Sequence, residues 1–493
     1  MEWIFIAAYL LSMVVIGLHG RKKTSDLTTF VVGGRKAGPW VSALAYGATY
    51  FSAVLFIGYA GRSGWDYGLW AVLIGVGNGI LGAYLSWKLL APKTREVTRR
   101  LKIKSMPQMF EKRYASEKMK LFSAAVIFVF MIPYSASVYS GLSYLCEAVL
   151  NIDYDLAMFL IAAVAAVYLV LGGYLASLAA DFVQGLLIIG GVVFMIVFVM
   201  NSPTVGGFTH GISTVLDKMD AAGILRLDGN GLIGLISLIL LTSIGTWGMP
   251  QMIHKFYGIE NEEGVRRGRV ISTAFCIFVS AGAYFIGGIS RLFYDEVPTL
   301  NGVQNYDLIV PGILQTLPSV LLGIIMVLVL SASVSTLSGI TLTSCSTMTM
   351  DIFPKIMGKR YDKKRAFFST RLLCLLFIVF SYIIALCKSP ILMLMSFSWG
   401  TIAGSFLSPY LLGLLWKRMN RKGAWAGMLS GFFTSIILTV ASGFNSGQAA
   451  MFGVIAMVVS FAVCIVVSLC TSNEDAAYTA AKETYFDTQG TVR

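Results

Sequence analysis

Thirteen stretches of mostly apolar residues, each about as long as an α-helix needs to cross a bilayer, limit what this chain can become. They run over residues 2–20, 40–61, 67–92, 121–149, 155–176, 180–201, 231–254, 268–290, 313–350, 366–387, 391–416, 422–442 and 448–471. The ninth is long enough to tilt or to continue past the bilayer. Only 13% of the 493 residues are charged and 56% are hydrophobic, with a mean hydropathy of +0.75. A soluble domain carries about twice that share of charge. The chain must therefore be solvated by lipid. Backbone polar groups in hydrocarbon must be satisfied within the segment, so the expected fold class is an all-α polytopic membrane protein.

Charge sets the orientation. The loops at 21–38, 93–120, 255–267, 354–365 and 417–422 are basic, the second through Arg95, Arg99, Arg100, Lys102, Lys104, Lys112 and Arg113. All five fall on one side if the N-terminus is outside and the C-terminus inside, as the positive-inside rule requires. The intervening loops are polar or acidic, as in Asn151-Ile152-Asp153-Tyr154-Asp155. The net charge of +13 then reflects anionic headgroups, and without a basic face or module nucleic acid is not expected as a partner. Met1-Glu2 gives no basic n-region, so the first run reads as a span and not a cleaved signal. The tail 472–493 is polar and too short for a domain. The seven cysteines form no CxxC pair and read as small apolar packing residues.

Two spans carry signs of interruption near the midplane, where unwound backbone is tolerated only if it is buried in protein or lines a cavity. The second contains Tyr46-Gly47-Ala48-Thr49-Tyr50-Phe51-Ser52, with the break expected around Gly47. It would free carbonyl oxygens suited to a hard cation; alternatively, the small residues only let helices pack closely. The seventh contains Gly245-Thr246-Trp247-Gly248-Met249-Pro250-Gln251, where a proline without an N–H makes a continuous helix unfavourable. The two lie five spans apart. That suits two inverted five-helix repeats, at 39–201 and 202–416, preceded by a helix and loop at 1–38 and followed by two helices at 417–471.

The ninth span places Ala332, Ser335 and Thr336 on one helical face, within a segment that holds eleven Ser and Thr between 331 and 349. Hydroxyls and a carbonyl here, with carbonyls from a broken partner, would make an oxygen cage for a monovalent cation. The alternative is that these hydroxyls bond back to their own helix. Asp181 opens the sixth span, either as an N-terminal charge on the helix dipole or as a carboxylate facing a cavity. Glu147 and Arg291 lie near span ends, where snorkelling explains them. No HExxH motif, P-loop lysine or nucleophile elbow occurs, and histidines are limited to His19, His210 and His254. An enzyme or an ATP-driven pump is not expected.

Five motifs together resemble the sodium:solute symporter family, which includes bacterial proline and pantothenate transporters. They are Gly47-Ala48-Thr49-Tyr50-Phe51-Ser52, Ala180-Asp181-Phe182-Val183-Gln184-Gly185, Gly245-Thr246-Trp247-Gly248-Met249-Pro250, Ser335-Thr336-Leu337-Ser338, and Trp416-Lys417-Arg418-Met419-Asn420-Arg421-Lys422-Gly423-Ala424. The resemblance implies a ten-helix inverted-repeat core and a sodium ion held by carbonyls of Ala48, Phe51 and Ala332 and hydroxyls of Ser335 and Thr336. It also implies an ion-coupling role for Asp181 with Ser338. A further serine of some members is Gly339 here, so one sodium is expected. The proline branch has an acidic residue at Tyr50 and aromatic residues at Thr242 and Thr246, while Ala48-Thr49-Tyr50, Phe56-Ile57-Gly58 and Tyr67-Gly68-Leu69 look more like the pantothenate branch. The expected substrate is a small monocarboxylate, vitamin or amino acid, pantothenate-like ahead of proline. With no Arg or Lys expected at mid-membrane, it would be held by half-helix N–H groups, Tyr50, Ser52 and Thr246, with Trp247 and Tyr134 offering apolar faces. The expected partners are thus a solute, sodium and the lipid of the cell membrane, with no oligomer required. Proton coupling through Asp181, or a sensor that binds solute without moving it, are the rival readings.

Overall fold

The computed structural model describes residues 2–23, 35, 37–300, 302–358, 361–472 and 475–486, with side chains for all of these except 2, 14, 16–23, 167–179 and 363–364. Most of the basic loop 21–38 and the last seven residues of the tail lie outside the described residues. Ten helical stretches are long and apolar enough to cross a membrane, and two shorter apolar helices, Trp3–Met13 and Tyr154–Ala166, accompany them among the described residues. The described strands form one hairpin, Thr299–Leu300 with Val303–Gln304.

The chain starts with α1 (Glu2–Lys23) and enters the first broken segment through α2 (Pro39–Tyr50). Phe51 is extended, at φ −114° and ψ 140°, and helix resumes as a π-turn at Val54–Tyr59 that runs into α3 (Ala60–Tyr67). Gly68 then turns the chain at φ +57°, a conformation that a β-carbon disfavours. This separates the second and third expected spans at 67–68. The break itself lies four residues beyond Gly47. A β-carbon on Gly47 would sit 2.2 Å from the Phe275 ring, so this glycine serves the close approach of two helices and not the interruption.

The fourth span is α4 (Glu117–Leu150). The spans expected at 155–176 and 180–201 are joined in α5 (Tyr154–Met200), 47 residues and about 70 Å long, more than two hydrocarbon thicknesses. The boundary expected between them falls at 167–179, whose side chains are not described. The second broken segment comprises α6 (Gly229–Ser243), a 3-10 stretch Ile244–Gly248, and α7 (Pro250–Tyr257). It leads to α8 (Glu262–Gly288), α9 (Ser319–Thr347), α10 (Lys363–Ala385) and α11 (Ile391–Leu415). Two peripheral helices, α12 (Arg421–Ala441) and α13 (Ala449–Cys470), follow.

Burial separates centre from rim. The most apolar windows of α9 and α11 are 72% and 89% buried, whereas those of α10 and α12 are 28% and 33% buried and present the rest to lipid. The serines and threonines of α9 from Ser331 to Thr347 are therefore interior groups, a distribution that packing against lipid does not require.

The basic loops meet at one end of the molecule. Arg35 donates to the carbonyls of Thr98 and Ile103, both at 2.8 Å. Arg99 donates to those of Arg35 and Ile259, and Arg95 to that of Glu260. Lys355 reaches Glu117, and Arg421 reaches the Tyr114 carbonyl and Asp475. The tail differs from expectation, because α14 (Ala476–Phe486) buries Tyr478 and Tyr485 beneath this end. Arg291 also departs from the snorkelling expectation: it donates to the Trp65 carbonyl at 3.1 Å and stacks on the Trp65 ring.

Candidate cation and substrate site

The first break and α9 build one centre. Extended backbone at Phe51 removes the next turn's N–H groups from the carbonyls at the end of α2. α9 supplies the side chains that face them. Thr336 Oγ1 lies 3.0 Å from the Phe51 carbonyl, 3.2 Å from Thr49, 3.5 Å from Ala48 and 3.1 Å from Ala332 on its own helix. A hydroxyl has one proton and can donate to one of these four oxygens at a time. The others present lone pairs to the same small volume, which fits a hard cation such as sodium. Ser333 Oγ accepts from the Ala53 N–H at 2.9 Å and Ser52 Oγ from the Val54 N–H at 3.2 Å, so the resumed helix is pinned at its start.

Thr336 and the carbonyls of Ala48, Phe51 and Ala332 thus come together, and the Thr49 carbonyl joins them. Ser335 turns elsewhere: its hydroxyl donates to Asp181 Oδ1 at 2.6 Å. Ser338 Oγ donates to the Ser335 carbonyl at 2.8 Å, a bond back to its own helix. At Gly339 a β-carbon would lie 3.0 Å from the Thr49 methyl, so Thr49 occupies the space that a side chain there would need.

Asp181 has a partner that the sequence pattern does not place. Lys255 Nζ sits 2.7 Å from Asp181 Oδ2, with both side chains almost wholly buried. By its charge, residue 255 should open a basic loop, and no lysine is expected within the membrane core. Instead α7 continues to Tyr257 and carries Lys255 inward, towards α5 and α9. The available signal is helical register: Lys255 falls four residues after Gln251, and both are buried.

A small chamber adjoins the break, with Tyr50, Ser52, Tyr59, Asn78, Thr242 and Trp399 among its walls. Its open space of about 20 Å³ holds a water and no solute. No Arg or Lys lines it. Tyr50 OH donates to the Thr242 carbonyl at 2.5 Å, and Thr242 Oγ1 lies 2.8 Å from Asn78 Oδ1. Of the residues expected to contact substrate, Tyr50 and Ser52 face this chamber. Tyr134 stands behind it, edge-on to Trp399 at 5.6 Å. Thr246 Oγ1 donates to the Ser243 carbonyl, and Trp247 Nε1 donates to the Leu81 carbonyl, so both are engaged outside the chamber walls. Asn78 gives no signal in the sequence, because a single polar residue in the third span has no periodic partner.

The family model for the sodium:solute symporter family matches residues 30–431. Among curated relatives, the osmoregulated proline transporter OpuE of Bacillus subtilis (strain 168) is 29% identical over 95% of this chain and 94% of its own length. The high-affinity proline transporter PutP of the same organism is 30% identical over 86% and 89%. The sodium/proline symporter of Escherichia coli (strain K12) is 30% identical over 87% and 86%. Among solved structures, a Na+-coupled sialic acid symporter in a substrate-bound outward-open state superposes with a TM-score of 0.75, at 19% identity, covering 96% of this chain and 98% of that one. It establishes the transporter fold. All three of these curated relatives are proline transporters.

Proposed function

This chain belongs to the sodium:solute symporter family, and on that footing we propose that it imports a small amino acid or monocarboxylate with one sodium ion by alternating access, proline ahead of pantothenate. The observation that carries the reading is the convergence of four carbonyl oxygens on the single hydroxyl of Thr336. Sodium there is held by Thr336 and the carbonyls of Ala48, Phe51 and Ala332, with Ser335 a further ligand when its hydroxyl leaves Asp181. An ion shared by the first break and α9 ties two elements that must part for the site to open inward. Sodium and solute therefore favour the same conformer, and each raises the affinity for the other by the same factor. One net positive charge moved inward gains about 2.3 kcal/mol per 100 mV, roughly a fiftyfold concentration ratio.

The solute occupies the chamber beside the ion once Tyr50 and Trp399 part. With no cationic side chain on its walls, a carboxylate is held by backbone N–H groups at the break and by the hydroxyls of Tyr50 and Ser52. The repeats at 39–201 and 202–416 rock against each other, with the N-terminus outside and the basic end in the cytoplasm. The convergence of the basic loops supports that orientation.

The test is uptake into proteoliposomes of labelled L-proline, pantothenate and short carboxylates, with an inward sodium gradient and with potassium in its place. Accumulation of one compound only with sodium is expected. Accumulation that follows a pH gradient and ignores sodium would replace this reading with proton coupling.

A further inference from the structure

A carboxylate with no exposure to water needs a neutralising partner, because burying an unpaired charge costs several kcal/mol. Beside a cation cage three partners are available: a proton, a second metal ion, or a basic side chain. Asp181 has the third. Lys255 Nζ lies at 2.7 Å from Oδ2, and the Ser335 hydroxyl takes Oδ1 at 2.6 Å. Three elements meet here, α5 through Asp181, α7 through Lys255 and α9 through Ser335. The next residue of α9 is Thr336, the centre of the cage. On the α9 side, Gly339 adds no hydroxyl, and the Thr49 methyl fills the space it leaves.

We propose that Lys255 is a tethered cation standing where a second transported ion would otherwise neutralise Asp181, and that it thereby fixes coupling at one sodium per cycle. This rests on the sodium-symport reading above. The ammonium and the carboxylate cancel, and neither leaves the protein, so the cage alone contributes net charge to the moving site. Ser335 links the two: when it stays with Asp181 it is withheld from the sodium, and when Lys255 shifts with α7 it is released. Lys255 is in this sense a positioning residue and a determinant of stoichiometry. Among the described residues, the titratable groups facing the pair include Tyr9 of α1, whose hydroxyl accepts from Gln184, and His254 beside Lys255, with Arg35 next to His254.

Equilibrium binding of radiolabelled sodium to the purified full-length protein tests this without a known solute. The wild type should saturate at one sodium per protein. Lys255→Met removes the ammonium that neutralises Asp181. It should bind a second sodium, doubling the stoichiometry. Adding Asp181→Asn to Lys255→Met should restore one sodium. Two sodium ions on the wild type would overturn the proposal, as would a Lys255→Met protein that binds one sodium. If Lys255→Met does not fold, Lys255→Gln, which removes the charge and keeps a hydrogen-bond donor, should bind two sodium ions, and one sodium on that variant would overturn the proposal. Wild-type protein that binds no sodium sinks the symport reading itself, a result distinct from binding two.

Discussion

The two broken spans end their first halves in the same extended conformation by different means. At Met249, φ −85° and ψ 118° follow from the covalent chain, because a residue before proline is pushed out of the helical region and Pro250 has no N–H to give. At Phe51 no proline is present. The extended residue is held from outside, by Ser333 on the Ala53 N–H and by Thr336 among the carbonyls. One break is written into its own segment and persists whatever surrounds it. The other is a property of its contact with α9, and the ion proposed to bridge that contact is part of what holds it.

Substitutions at the two breaks should therefore separate in their effect on sodium. Thr336→Ala should have the largest, weakening sodium affinity by about 10- to 100-fold while the protein inserts and purifies as the wild type does. Unchanged sodium binding would remove α9 from the site. Ser333→Ala leaves the Ala53 N–H without its partner, at a cost of ~1–3 kcal/mol. Because part of that falls on the first break, sodium affinity should drop up to about tenfold, and the melting-temperature gain from sodium over potassium should shrink. Pro250→Ala acts on the intrinsic break and removes no atom of the cage, and sodium affinity should stay within about twofold. A loss as large as that of Ser333→Ala would erase the distinction. The smallest effect on sodium is expected at Asp307, outside the spans, where burial pushes the carboxyl up to about 6. The folded state then holds a proton that the unfolded chain has already lost, so stability is highest below about pH 4 and declines as pH rises to about 6. Melting temperatures should follow that slope in the wild type and lose it in Asp307→Asn, with sodium binding unaltered in both.

The same contrast explains what can be read from the sequence. The break at 249–250 is legible because proline and glycine act on their own backbone. The break near Gly47 is legible in kind and displaced by four residues, because the glycine answers to Phe275 in another helix. Ala332 and Thr336 can be grouped because helical spacing puts them on one face, and the end of α2 joins them through the resemblance to the sodium:solute symporter family. The hydroxyl of Ser335, on that same face, has a second suitor in Asp181, and sequence spacing carries no information about which one it takes. Lys255 escapes notice because a basic residue near the end of an apolar run reads as a loop charge. Its burial depends on a carboxylate 74 positions away.

Arg113 adds a matter of timing. It is buried, and it donates to the carbonyls of Gly413 and Met419 and to the hydroxyl of Tyr478. A ribosome delivers this guanidinium early and its partners hundreds of residues later. Until then Arg113 is a positive charge without these partners, available to bias the orientation of the early spans. Once the tail arrives, the charge that served as an address becomes the clasp beneath the finished bundle.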